Sequence, residues 1–266
     1  MTTTDTNVPK INVQIDGPLG WVLINSPDKL NSLNEDMWAS LPNIIKELDQ
    51  NKDIRAIIFR GVGEKAFSAG ADISEFDRVR EGDAAKRYNK LNTDCFKTIQ
   101  DCITPTISMV HGFCLGGGFL IALSTDLRLA STKAQFSLPP AKLGIGFDVR
   151  WLSPLLKIVT PPVAKELLFT GARFSATDCM EKGLLTSVHE PDELEDAVIE
   201  LASTIGGNAP LTLHNVKSAI DALAQNEAQV DFAAQDELTA RCFNSKDYQE
   251  GRKAFAERRK PEFTGE

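Results

Sequence analysis

Apolar and polar positions along the first half of the chain predict short strands separated by helices. Ile11, Val13 and Ile15 alternate with polar residues, and a turn then leads into the apolar run at residues 21–24. Alternation of this kind on either side of a turn is typical of a β-hairpin. Apolar residues then recur at helical spacing over residues 34–51, which predicts an amphipathic helix.

The same two patterns continue to the end of the chain. Apolar runs predict strands at residues 54–59, 106–110, 126–130, 134–138 and 184–189. Helical spacing or a helix-start signal predicts helices over residues 84–102, 119–123, 153–158, 163–170, from 175 onward, 192–205, 211–223, 230–241 and 246–259. Alternating strands and helices indicate an α/β fold. We predict an α/β core over residues 10–200 and a C-terminal helical region over residues 201–266.

Two glycine-rich segments follow predicted strands. Residues 66–72 read AFSAGAD, and residues 112–118 read GFCLGGG ahead of an apolar helix. Glycine lets the backbone approach a ligand closely, and a helix start offers free N–H groups to a negative oxygen. Each segment could supply one N–H to the same oxygen, which would form an oxyanion hole. The alternative is that both are tight turns with close packing.

Composition excludes several classes of protein. The 266 residues carry a net charge of −8, which argues against nucleic acid as a partner. No apolar run approaches the ~18 residues that span a bilayer, and the polar first ten residues lack the core of a secretory signal. Five scattered cysteines predict reduced thiols and a cytoplasmic protein. Three histidines and no Cys or His cluster predict no metal site.

Four segments together resemble the enoyl-CoA hydratase/isomerase (crotonase) superfamily. They are the two glycine segments, SPDKLNSL at residues 26–33 and ERRKPEF at residues 257–263. The resemblance implies the crotonase fold, a ββα superhelix, followed by C-terminal helices that build a homotrimer or a dimer of trimers and complete the pocket. It implies an acyl-CoA thioester as substrate and no permanently bound cofactor.

Several site residues are carried over from this resemblance. The thioester carbonyl is expected between the N–H groups of Ala71 and Gly117. Coenzyme A contacts are expected at Lys29, Ala69, Ala71, Asp72, Ile73 and Lys260. The two lysines could equally be solvated surface residues. His111 is expected to be a packed histidine, and Glu75 is a reserve base.

The chain departs from the pattern of the family's hydratases at both catalytic carboxylates. Those enzymes carry two glutamates that hold and activate water, and the matching positions here are Leu120 and Pro140. Neither side chain can titrate. The usual hydration mechanism is therefore not expected, although the fold resembles that of a hydratase.

One carboxylate remains near the expected acyl group. Asp148 matches an acid used for proton transfer in the dienoyl-CoA isomerases, and it also precedes an apolar periodic stretch that it could cap as a helix N-cap. We therefore predict an enzyme that stabilises a thioester enolate and moves a double bond, or performs another reaction needing one acid. The alternatives are a hydratase with atypical residues and a non-catalytic acyl-CoA-binding protein.

Overall fold

The computed structural model describes residues 10–79, 82–225, 228 and 230–266, and most of the polar amino terminus lies outside these ranges. The strands are β1 Ile11–Asp16, β2 Leu19–Ile24, β3 Ala56–Gly61, β4 Ala66–Ser68, β5 Thr106–Val110, β6 Phe113–Leu115, β7 Leu127–Ser131, β8 Gln135–Ser137, β9 Phe174–Ser175 and β10 Ser187–His189. The α-helices are α1 Glu35–Gln50, α2 Phe76–Val79, α3 Gly82–Gln100, α4 Gly117–Ser124, α5 Pro140–Leu143, α6 Val149–Leu156, α7 Pro161–Thr170, α8 Ala176–Glu181, α9 Leu194–Gly206, α10 Pro210–Gln225, α11 Phe232–Phe243 and α12 Lys246–Glu257.

The strands form two sheets. The larger has the order β1-β2-β3-β5-β7-β10, and all of its neighbours run parallel except the hairpin β1–β2. The smaller has the order β4-β6-β8-β9, with β4, β6 and β8 parallel. Three times along the chain, a strand of the larger sheet is followed by a strand of the smaller sheet and then by helix. This repeat confirms the predicted α/β fold with a ββα superhelix.

The inner strands β2, β3, β5 and β7 of the larger sheet are buried on both faces. On β2, Val22 and Ile24 face one hydrophobic cluster together with α1, α3 and α4, while Trp21 and Leu23 face a second cluster with α9. Successive side chains point to opposite faces of a strand, so burial on both faces requires a nearly continuous apolar run. This requirement explains why the long strands could be predicted from hydrophobicity alone.

The smaller sheet is where the structure differs from the sequence-based prediction. The segments predicted as glycine turns begin as the short strands β4 and β6, and the strand β9 was not predicted. Pro140 lies at the first position of α5, where its missing N–H costs nothing, although its segment was predicted to end a strand. Helix α6 begins at Val149 instead of residue 153, because the N-cap Asp148 starts it earlier.

The C-terminal helices α10, α11 and α12 follow as predicted. Helix α9 crosses residue 200 and packs on the larger sheet through Leu194, Val198 and Ala202. The division of the chain at residue 200 stays a prediction. None of the described helices is long and apolar enough to cross a membrane.

Candidate active site

The two glycine segments lie side by side because their strands pair. β4 and β6 run parallel, so the turns that follow them leave the same edge of the smaller sheet. Gly70 and Gly116 both have positive φ angles, +91° and +51°. A Cβ atom added to Gly70 would lie 2.8 Å from the Leu115 carbonyl oxygen and 3.1 Å from the Gly117 nitrogen. Only glycine permits this approach, so the two turns meet backbone to backbone.

The amides of Ala71 and Gly117 are brought together by this contact. A Cβ on Gly117 would lie 3.8 Å from the Ala71 nitrogen. Neither N–H donates a hydrogen bond to any described residue. Both residues are half-buried, so the pair borders a space that a ligand can reach. The two amides therefore lie close together beside that space, and their role as thioester contacts stays a prediction.

The direction of each free N–H has a structural cause. Leu33 pairs with Ala71 as in a parallel ladder, because the Leu33 nitrogen donates to the Gly70 carbonyl at 2.7 Å and the Asp72 nitrogen donates to the Leu33 carbonyl at 2.9 Å. The N–H of Ala71 therefore points to the opposite side. Gly117 is the first residue of α4, where an N–H has no partner within the helix and the helix dipole favours a negative charge.

A side-chain network that sequence reasoning missed fixes the first turn. Asn31 has a positive φ of 56°, and its amide donates to the carbonyls of Val62 and Ala66 at 3.0 and 2.7 Å. The Ser68 hydroxyl donates to the Asn31 carbonyl and accepts from the Gly70 N–H. Asn31 lies inside the SPDKLNSL segment that the sequence analysis singled out. The motif marked this residue as important, but only the tertiary contacts show which carbonyl groups its side chain binds.

Trp38 was also missed, and it supports the second turn. Its ring atoms Cζ2 and Cη2 lie 2.9 and 3.1 Å from the position of a Cβ on Gly117. Trp38 is fully buried and packs edge-on against Phe96, with ring centroids 5.6 Å apart. A residue larger than glycine at position 117 would therefore collide with this ring.

The two positions that the family resemblance matched to the hydratase glutamates hold Leu120 and Pro140, which carry no acid. Leu120 is buried one turn into α4, and its nitrogen makes the first helical bond to the Gly116 carbonyl at 3.0 Å. Pro140 begins α5. Leu120 packs in the main hydrophobic cluster, so this part of the site is apolar.

Asp148 is the N-cap of α6. Its carboxylate accepts from the Arg150 backbone N–H at 2.9 Å and pairs with the Arg150 guanidinium, where Nε lies 2.8 Å from Oδ1. The Asp148 side chain is 16% exposed, and that of Arg150 is 67% exposed. The guanidinium holds the pKa of Asp148 below its usual range, so the carboxylate stays ionised. The capping role is present, and the role in proton transfer stays a prediction.

The predicted coenzyme A contacts near the first turn cluster together. The Lys29 ammonium lies 2.7 Å from a carboxylate oxygen of Asp72. Asp72 also caps the short turn Ile73–Glu75 and accepts from the Ser74 N–H and hydroxyl. The bond from Lys29 is the main cause that lowers the pKa of Asp72. The described contacts of Lys260, which follows α12, do not reach these residues.

His111 and Glu75, the weaker candidates for catalysis, lie among contacts that hold the fold together. His111 is buried, and burial, followed by the Arg60 charge, lowers its pKa to about 4, so the ring is neutral. Glu75 accepts from the Glu35 N–H at 2.8 Å and from Arg78 at 3.0 Å, which fixes it at the start of α1. Within the described ranges, no group of three or more His, Cys, Asp or Glu residues could hold a metal ion.

Comparison with known proteins identifies a matching family and several similar chains. The family model for enoyl-CoA hydratase/isomerase matches residues 15–266. A short-chain-enoyl-CoA hydratase from Clostridium acetobutylicum is 35% identical over 93% of this chain and 94% of its own length. The methylmalonyl-CoA decarboxylase of Escherichia coli is 32% identical over 96% of this chain and 98% of its own. The peroxisomal Delta(3,5)-Delta(2,4)-dienoyl-CoA isomerase of Arabidopsis thaliana is 32% identical over 83% of each chain.

Solved structures of proteins with the same family description have the same fold as this chain. An enoyl-CoA hydratase/carnithine racemase from Magnetospirillum magneticum superposes with a TM-score of 0.92 at 31% identity, covering 98% of this chain and 97% of that one. Relatives named as hydratase, decarboxylase and isomerase thus share one fold, and the fold alone does not specify the reaction. With a family match from residue 15 to the carboxyl end, the chain belongs to the enoyl-CoA hydratase/isomerase family.

Proposed function

We propose that the protein binds an acyl-CoA thioester and stabilises its enolate between the N–H groups of Ala71 and Gly117. The observation that carries this proposal is the pair of adjacent backbone donors without a protein acceptor. A donor placed where negative charge develops in the transition state is worth about 3 kcal/mol. Two such donors stabilise the thioester enolate, which is the intermediate that isomerisation and decarboxylation of thioesters share.

The reaction that we propose first is migration of a double bond. Leu120 and Pro140 cannot hold or activate water, which disfavours the two-carboxylate hydration mechanism. A 1,3-proton shift needs one group that removes a proton and returns it. Asp148 is our candidate for that group, and it must first exchange its Arg150 partner for the substrate.

The ion pair of Asp148 also favours a second candidate. A carboxylate whose pKa is lowered by a guanidinium is a weak base. Decarboxylation of a malonyl-type thioester needs no base, because the electron pair of the breaking C–C bond becomes the enolate in the oxyanion hole. The relative from Escherichia coli that is named methylmalonyl-CoA decarboxylase supports this candidate.

Coenzyme A enters as part of the substrate in this proposal, and no bound cofactor is assigned. Lys29, Ala69, Asp72 and Ile73 surround Ala71 and would contact the coenzyme beside the thioester. Lys260 is proposed to meet the nucleotide end from the carboxyl-terminal segment. We propose the cytosol as compartment, a choice supported by five cysteines without disulfide partners.

Formation of the enolate with Asp148 as the base is tested by exchange of the α-protons of butyryl-CoA in D2O, followed by NMR. We expect exchange with the wild type and a rate at least about 100-fold lower for Asp148→Asn, the usual contribution of a general base. Asparagine caps a helix as well as aspartate does, so the melting temperature should stay close to the wild-type value. Asp231→Asn, at the N-cap of α11, is the matched control.

The rival functions are distinguished when α-proton exchange is measured together with hydration, thioester binding and CO2 release. Hydration of crotonyl-CoA that survives Asp148→Asn would identify an atypical hydratase. Tight thioester binding without any α-proton exchange would identify a binding protein. Exchange that persists in Asp148→Asn, together with CO2 release from malonyl-CoA, would support the oxyanion hole and would identify decarboxylation, instead of isomerisation, as the reaction.

We also propose that the C-terminal helices assemble the protein into a trimer or a dimer of trimers. Helix α10 carries Val216, Ile220 and Leu223 on one face, and all three are exposed, Ile220 by 62%. Residues spaced by four and three positions share a helix face, and exposed apolar stripes mark interaction surfaces.

Light scattering should report an assembly of three or six times the chain mass of 29.1 kDa, and Ile220→Glu should lower the mass of that assembly. Ile15→Glu, a similarly exposed isoleucine on β1, is the control and should leave the mass unchanged. A wild-type mass of one chain would contradict the proposal.

A further inference from the structure

A cavity of about 560 Å³ lies between helices α3 and α6 on one side and the carboxyl-terminal helices α10 and α11 on the other. Phe96 and Trp151 give it apolar walls, and Arg150 lines it as well. Its described lining also holds charge, from four lysine or arginine side chains and three aspartates. Apolar walls with a few charged groups suit a small molecule that has a hydrocarbon body and a charged end.

A row of aromatic rings connects the candidate active site to this cavity. Trp38 borders Gly117, and the Phe96 ring meets Trp38 edge-on with centroids 5.6 Å apart. Trp151 meets Phe96 in turn, with centroids 6.4 Å apart. The rings that form one wall of the cavity are therefore packed on the ring that supports the second glycine turn.

Arg150 joins the cavity wall to the proposed base. Its Nε lies 2.8 Å from Oδ1 of Asp148, and its Nη2 pairs with Oδ2 of the same carboxylate. The Arg150 side chain is 67% exposed, and its Nη1 has no acceptor among the described residues. Since a guanidinium carries five N–H donors, the pair with Asp148 leaves donors for a second carboxylate.

The three lysines of the cavity wall differ from Arg150 in this respect. Each has an aspartate oxygen within 3.0 Å of its ammonium group. An ammonium is also a point charge, whereas the planar fork of a guanidinium matches the shape of a carboxylate. Arg150 is therefore the cation of this wall that is best suited to receive an anionic group.

The proposed role of Asp148 brings Arg150 within reach of the substrate. A base must lie at hydrogen-bond distance from the proton that it removes, so the acyl chain would contact the Asp148 carboxylate. The guanidinium is one ion pair away from that contact. A carboxylate on the same acyl chain, a few bonds beyond the reacting carbon, can therefore meet Arg150 at the edge of the cavity.

We propose that Arg150 recognises a carboxylate at the far end of the acyl group, so that the preferred substrates are CoA thioesters of short dicarboxylic acids. The inference rests on the proposed function, because that function places the acyl chain beside Asp148. Arg150 is then a specificity-determining residue, which enolate formation by itself does not require.

The test compares equilibrium binding of glutaryl-CoA and hexanoyl-CoA, whose acyl groups are nearly equal in length and differ in the terminal carboxylate. Succinyl-CoA with pentanoyl-CoA, and adipyl-CoA with heptanoyl-CoA, extend the comparison to a shorter and a longer chain. The variant is Arg150→Met, which removes the guanidinium and keeps a flexible stem. Asp148 still accepts from the backbone N–H of residue 150 in this variant, so α6 keeps its cap.

Lys90→Met is the matched control. Lys90 lies on α3, is 73% exposed and pairs with Asp94 at 2.6 Å, but it does not line the cavity. Both variants remove one positive charge from an exposed ion pair. The control therefore separates recognition at Arg150 from a general attraction between the protein and a more negative ligand. Calorimetry measures the dissociation constants for each protein.

We expect the wild type to bind at least one dicarboxylic thioester at least tenfold more tightly than its uncharged counterpart, the effect of a hydrogen bond to a charged group. Arg150→Met should bring this ratio close to one, and Lys90→Met should keep the wild-type ratio.

Three results would overturn the carboxylate subsite. They are a wild-type ratio near one for all three pairs, a preference that survives Arg150→Met, and a preference that both variants lose equally. Each of them leaves the enolate proposal in place, because exchange of the α-protons tests that proposal separately. Failure of the wild type to bind any of the thioesters would overturn the proposed function itself.

Discussion

Replacing Gly70 by alanine is expected to slow α-proton exchange by at least about 100-fold, the loss that follows removal of one oxyanion-hole donor. The added Cβ would lie 2.8 Å from the Leu115 carbonyl and 3.1 Å from the Gly117 nitrogen, and both atoms belong to backbone. Because backbone cannot rotate away as a flexible side chain can, the two turns must separate. The measurement is exchange at the α-carbon of butyryl-CoA, with affinity determined in parallel.

Gly63→Ala is the matched control. Gly63 has a φ of +77°, and a Cβ there would meet nothing within 4 Å. Both variants carry the conformational cost of a non-glycine residue in the left-handed region, about 1 kcal/mol or more. Only Gly70→Ala pushes the amides apart. Equal exchange rates in the two variants would show that the spacing of Ala71 and Gly117 does not control the chemistry.

Arg128→Met is expected to lower the free energy of unfolding by about 3 kcal/mol, because it leaves buried carbonyls without donors. Arg128 is buried on β7. Its guanidinium donates to the carbonyl of Leu184 at 2.8 Å and to that of Thr125 at 2.5 Å, just beyond the end of α4. Burial lowers the pKa of Arg128 to about 10, so the guanidinium is still charged at neutral pH. Denaturant unfolding at pH 7 measures the change.

Arg60→Met provides the comparison for Arg128→Met. Arg60 is paired with the more exposed Glu195 at 2.7 Å, and such surface pairs contribute less than about 1 kcal/mol. Similar losses in the two variants would mean that the carbonyls around Arg128 find other donors. A loss confined to Arg128→Met would identify this cation as the group that holds the carboxyl end of α4, the helix that presents Gly117.

The sequence predicted those elements that depend only on residue type and on neighbours along the chain. Long apolar runs such as β5 are buried on both faces and could be assigned as strands from hydrophobicity. The capping preference of Asp148 indicated a helix start, although the apolar spacing alone placed that helix at residue 153. The sequence was less informative for β4 and β6, because a strand of three residues has too few positions to show alternation. Their existence depends on pairing with each other and with β8.

By itself, the sequence determined the alternation of strands and helices, the two glycine-rich segments and the absence of a titratable group at Leu120 and Pro140, because each is a property of residue type and local order. Only the tertiary structure decided which backbone amides meet and that the Trp38 ring packs against Gly117. These features join residues that are distant in the chain. Their distances are set by sheet register and helix packing, which no local pattern encodes.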